Sequence, residues 1–154
     1  MTFYELLKTI HVLAMATWFG SAVAINVIGV RALRGEDGAA FPSFGMNAGW
    51  WASKAHPAAG VVLLITGFAM VGDHDLSIGD PWISIAIAGL VIAMGIGGAL
   101  IGRASGQLTA ALQQSRGTMT EQTQRLGEQV LRYSQFEILV LVIVIADMVF
   151  KPGS

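Results

Sequence analysis

Four apolar stretches, each long enough to cross a bilayer, constrain this chain more than any other feature. They fall at about residues 3–30, 55–72, 81–102 and 130–150, against the roughly 17–25 apolar residues a transmembrane helix uses. Backbone polar groups among lipid tails must be satisfied within the protein, and a helix does this inside each segment. The expected fold is therefore all-α, an integral membrane four-helix bundle, with residues 1–154 forming one transmembrane domain. Composition points the same way. With 54% hydrophobic residues, 12% charged residues and a mean hydropathy of +0.63, a chain of 154 residues lacks the polar surface to cover a water-soluble globule. A net charge of −1 supplies no basic field for nucleic acid. Cysteine is absent, which removes disulfides, thiolate metal sites and thiol catalysis. No Gly-rich loop ending in Lys joins a strand to a helix, which argues against a nucleotide phosphate site as well.

The boundaries can be read residue by residue. The first stretch is interrupted by Lys8, His11 and Asn26. A cleavable leader is the rival reading, since Ala22-Val23-Ala24 resembles a cleavage site, but Glu5 and a lone Lys8 are the wrong start for one. Residues 31–54 read as a polar connection containing Gly and Pro, ending in Trp50-Trp51 at headgroup level. His56-Pro57 opens span two, which begins before Pro57 or kinks there. The acidic loop Asp73-His74-Asp75 follows, and Asp80-Pro81 starts span three. Residues 103–130 turn polar, with Leu108, Leu112, Leu126 and Val130 at helical spacing, which predicts a helical extension between spans three and four. Gly117 marks its turn and Thr120 or a neighbour caps the next helix.

Orientation follows from basic residues. Arg31, Arg34, Lys54, Arg103, Arg116, Arg125 and Arg132 share one side, against Lys8 and Lys151 at the termini. The positive-inside rule then makes the extension a cytoplasmic hairpin and places both termini and the acidic loop outside a bacterial-type plasma (inner) membrane.

Ionisable groups at membrane depth carry the functional signal, because each costs about 3 kcal/mol or more among lipid tails. Counting about 1.5 Å of rise per residue puts His11 roughly 10 Å from the outer edge and Asp147 roughly 5 Å, close enough in depth to pair. Glu137 and His56 form a second candidate pair at roughly 20 Å or deeper. Met15 and Trp18 share a helix face with His11. Met70 and Met148, with His11 and His74, make a soft donor set suited to Cu(I). Each also has a plain structural reading: interhelical hydrogen bonds for the histidines and carboxylates, gap-filling for the methionines. Glycine rows on span three, Gly98-Gly102-Gly106 and Gly89-Ala93-Gly97, suit close approach of another helix, in this chain, a homodimer or a larger membrane complex.

The pattern His11-x6-Trp18-x-Gly20 resembles the copper-resistance-D-like superfamily of small membrane proteins. That group includes the four-helix protoporphyrinogen oxidase of bacteria, the membrane part of a cytochrome-type urate hydroxylase and families of unassigned function. Thr66-Gly67-Phe68 and the ending Met148-Val149-Phe150-Lys151-Pro152 are similar too. The resemblance implies haem b or copper handled within the bundle, with His11 matching the superfamily's histidine of span one. The oxidases' Pro-Arg pair late in span one and Arg-Asn-Glu stretch before the last span are missing here, so that activity is not carried over. His11 and His56 differ by roughly 14 Å in depth, so a haem on His11 needs Met70, Met148 or His74 opposite, or one protein ligand only.

The leading expectation is thus a haem-b-binding redox or electron-transfer protein, with His11 as axial ligand, Trp18 packed nearby and Asp147 orienting the imidazole. Met15, His56 and Glu137 complete the candidate cofactor residues. The alternatives are a copper-binding or copper-transporting protein using His11, His56, His74, Met70 and Met148, and a non-catalytic subunit of a larger complex.

Overall fold

The computed structural model describes residues 2–35, 40–73 and 77–151. Helix α1 (Phe3–Leu33) begins with a capping box, in which Thr2 and Glu5 each bond the other's backbone N–H. Helix α2 (Ala40–Trp50) runs through one π-helical turn (Trp51–Ala55) into α3 (His56–Asp73). Helix α4 (Pro81–Gly95) runs through a second π segment (Ile96–Ile101) into α5 (Gly102–Gln114). Helix α6 (Glu121–Phe150) completes the chain. Four continuous rods result, and all four are long and apolar enough to cross a membrane. The α1 rod packs against the α2–α3 and α6 rods, and the α4–α5 rod against those same two, so neighbouring rods run antiparallel around the bundle.

The span-two rod begins at Ala40, so most of the stretch expected to be a polar connection is helix. Pro42 lies in the first turn, where no intrahelical N–H bond is needed. The glycines that read as loop signals allow close packing instead. An added Cβ at Gly45 would sit 3.0 Å from Leu108, and one at Gly29 would lie 2.5 Å from the Phe44 ring. Phe41 and Phe44 are fully buried by that approach, in a core shared with Ala48, Leu108, Leu112, Val130 and Leu131. The extension formed by α5 and the start of α6 is therefore the far end of the bundle, clamped by α2. Gly117 (φ +79°) turns the chain there and donates its N–H to the Leu112 carbonyl at 2.8 Å. Thr120 caps α6 with a reciprocal bond to Thr123.

A second core lies deeper in the apolar zone, formed by Trp18, Leu63, Leu90, Ala93 and Leu141. The two glycine rows of span three face different ways. Gly89 and Gly97 lie against Val144 and Glu137 of α6, whereas a Cβ at Gly98 or Gly106 would meet nothing within 4 Å.

Candidate functional site

Between the two cores four polar side chains from three rods converge. His56 is the first residue after one π turn, and Gly97 lies within the other. Glu137, on α6, is 1% exposed. Its Oε1 lies 3.4 Å from His56 Nδ1 and accepts from Trp18 Nε1 at 3.2 Å. On the other side of the ring His56 Nε2 is 3.1 Å from Ser21 Oγ, which donates to the Trp18 carbonyl at 2.9 Å. Trp18 stacks on the imidazole at 5.6 Å between ring centroids, and Trp51 flanks it at 6.1 Å. Room for the carboxylate comes from Gly97, where a Cβ would lie 2.8 Å from Oε1. Glu137 Oε2 is buried with no hydrogen-bond partner among the described residues. With Ser134 and His56, Glu137 lines a cavity of about 10 Å³, roughly the space of one water.

Counting protons shows what the cluster can hold. A hydroxyl has one proton to give. When Ser21 gives it to the Trp18 carbonyl, His56 Nε2 must carry a proton and donate to Ser21. Nδ1, 3.4 Å from Oε1, makes no hydrogen bond among the described residues, and a proton on it would relieve the repulsion between its lone pair and a carboxylate. The same heavy-atom positions suit a second state, with Ser21 donating to a bare Nε2 and the ring keeping only its Nδ1 proton. The two states differ by one proton.

The second histidine is organised differently. His11 Nδ1 lies 2.8 Å from Thr66 Oγ1, whose own proton goes to the Val62 carbonyl at 2.7 Å. His11 therefore donates from Nδ1, and Nε2 is left with its lone pair. Gly67 leaves space for this ring, since a Cβ there would lie 3.6 Å from His11 Cε1.

Of the two pairs expected from depth, the structure forms His56 with Glu137 and not His11 with Asp147. Thr66, one helix away on α3, takes the orienting place expected of Asp147, whose Oδ2 is buried without a partner among the described residues. Trp18 does pack at a histidine, but its ring lies on His56 and its N–H is committed to Glu137. Met15 packs against the Trp18 and Leu63 core. Met70 and Met148 are half-buried. His74 lies outside the described residues, among which no three His, Asp or Glu side chains gather as a metal site. Ser21 joins the site without having stood out in the sequence, whereas Thr66 and Gly97 had stood out for a family resemblance and for close helix packing. For Ser21 a signal exists in its spacing, three residues from Trp18 on the same helix face.

Fold and site together define a class: an integral membrane four-helix bundle with a buried histidine–carboxylate centre. No curated protein and no solved structure matches the chain. Residues 5–152 match the family described as "Predicted integral membrane protein (DUF2269)", and the chain belongs to that family.

Proposed function

We propose that this protein handles protons within the membrane, with His56 and Glu137 forming a reversible proton-binding site. The observation that carries this reading is the buried His56 Nδ1–Glu137 Oε1 approach of 3.4 Å, held by Trp18 and Ser21. A buried ion pair is a poor stabiliser, because desolvation offsets its Coulombic gain. Intramembrane ionisable residues commonly mark proton relays. π-helical turns occur often at functional sites, and two of them bring His56 and Gly97 to this carboxylate.

The residues divide the work. Glu137 faces the Nδ1 side of the imidazole in both states. Ser21 rotates between the Trp18 carbonyl and Nε2 as the second proton arrives or leaves, and the Trp18 indole N–H supports the charged carboxylate. The loaded pair is net neutral and the unloaded pair carries one negative charge. The excess of basic residues at the α2–α5 end supports a bacterial-type inner membrane with that end cytoplasmic and the termini outside.

Infrared difference spectroscopy of the protein in lipid vesicles tests the reading. A pH titration is expected to produce carboxylate and imidazole bands that change together, both altered in Glu137→Gln. Bands that stay constant over the whole range in which the protein remains folded would overturn it.

A second reading, haem b at His11, is favoured by one observation: Nδ1 is tied to Thr66 while Nε2 keeps its lone pair, the arrangement of a metal-ligating histidine. Bound there, haem iron would supply one-electron transfer, and the protein's part is to hold the ring through Thr66 and Gly67. An absorption spectrum of purified protein, oxidised and dithionite-reduced, checks this. A Soret band lost in His11→Ala and shifted in Thr66→Val is expected, and a colourless protein that binds no added haem ends the reading.

A further inference from the structure

We infer that the His56–Glu137 pair exchanges its proton with one face of the membrane only, through a pocket between α1 and α2 that has Ser21 in its wall. The inference rests on the proton-binding reading and adds its route. The pocket measures about 240 Å³ and is lined by Ser21, Ile25, Ser43, Phe44, Asn47 and Trp51, among others. Ser43 and Asn47 are exposed, whereas Ser21 is half-buried and touches His56 Nε2. The pocket wall therefore holds exposed Ser43 and Asn47 together with the Ser21 that touches the ring nitrogen, with Ile25, Phe44 and Trp51 between them.

Depth places the pocket at the membrane edge. Lys54, Arg103 and Arg132 are exposed on three rods, and charged groups in such positions reach the headgroup layer. Counting about 1.5 Å per residue, His56 lies about 3 Å inside the level of Lys54 and Glu137 about 7 Å inside that of Arg132. Asn47 lies about 10 Å to the other side of Lys54, and Trp50, exposed beside it, suits the interface. Toward the opposite face lies the apolar core of Trp18, Leu63, Leu90, Ala93 and Leu141, with Met15 and Met94 packed against it, and it separates the pair from His11 and Thr66.

Proton bookkeeping along the route closes. In the unloaded pair Ser21 donates to bare Nε2. Its proton passes to Nε2, forming an N–H bond, while Oγ takes a proton from pocket water and the hydroxyl turns to the Trp18 carbonyl. The ring then carries two protons opposite the Glu137 carboxylate, and hydroxide remains in the pocket to be neutralised by the aqueous phase. Release is the reverse. Of the other ionisable groups on the surrounding elements, Arg31, Lys54, Arg103 and Arg132 are exposed and Tyr133 is half-buried on the pocket side, while His11 on α1 and Asp147 on α6 lie toward the opposite face.

The absence of cysteine makes the test direct. Asn47→Cys places one thiol in the pocket mouth, and Gln107→Cys places one on the exposed face of α5 as a control. Both proteins are reconstituted and labelled with a bulky thiol reagent, and the rate of the His56–Glu137 infrared change after a pH jump is followed. The label at position 47 is expected to slow the change at least tenfold and the label at 107 to leave it as in wild type. An unchanged rate in fully labelled Asn47→Cys protein overturns the route while the titrating bands keep the proton site. Bands that do not titrate even in wild type overturn both.

Discussion

At the scale of single residues the site is a set of mutual dependencies, so substitutions should separate by what they leave unpaired. Glu137→Ala removes the acceptor of Trp18 Nε1 and the counter-charge of His56 together. Breaking a buried pair from one side costs about 3–5 kcal/mol. Glu137→Gln keeps the shape and an acceptor oxygen for the indole, so it should retain most of the stability while losing the second proton. Thermal denaturation in detergent should rank wild type first, Gln close behind and Ala well below. Gln as damaging as Ala would show that the charge holds the fold. At this scale much was legible: helix rise alone placed His56 and Glu137 at one depth, and the structure joins them. It failed for His11 and Asp147, because depth says nothing about rotation around the bundle. Thr66 offers a hydroxyl on the facing helix, and nothing in residue type distinguishes that threonine from others whose hydroxyls bond only their own helix, as Thr17 does to the Leu13 carbonyl.

At the scale of elements, the two π segments do what straight helices would not. An α-helix advances about 100° per residue, so one extra residue in a turn re-aims everything beyond it. The turn Trp51–Ala55 lets α2 bury Phe41 and Phe44 against α5 while α3 points His56 at Glu137. Deleting Ser53, exposed within that turn, should restore α-helical register and rotate α3 by about 100° relative to α2. The variant is expected to insert into membranes but to lose the His56–Ser21 hydrogen bond and the approach to Glu137, seen as solvent-like ring nitrogen signals by nitrogen NMR. Native signals would mean that the register is set elsewhere. Neither π segment was legible, since Trp51-Ala52-Ser53-Lys54-Ala55 and Ile96-Gly97-Gly98-Ala99-Leu100-Ile101 contain only residues that also suit ordinary helix or turn. Turn chemistry was legible where geometry requires it, at Gly117 and Thr120.

At the scale of the whole molecule, hydropathy determined the architecture because lipid leaves so few alternatives to a helical bundle. What it missed was length. Rods of 33 and 34 residues, Ala40–Gly72 and Pro81–Gln114, extend well past about 30 Å of hydrocarbon, so the bundle has an apolar half and a half beyond the bilayer edge. The basic residues predict the sidedness, and single cysteines check it. In intact cells an impermeant thiol reagent should reach Ser77→Cys at once and Thr118→Cys only after permeabilisation, and the reverse pattern would invert the molecule.

The indole of Trp18 is both the roof of the proton site and a wall of the apolar core beneath it. Because it is stacked on the His56 imidazole, the proposed proton site predicts that its fluorescence is quenched more strongly when the ring is imidazolium than when it is neutral. Trp50, Trp51 and Trp82 supply a background that single Phe replacements can subtract. The protein then carries its own optical gauge of occupancy, at the centre of the bundle and without any added dye.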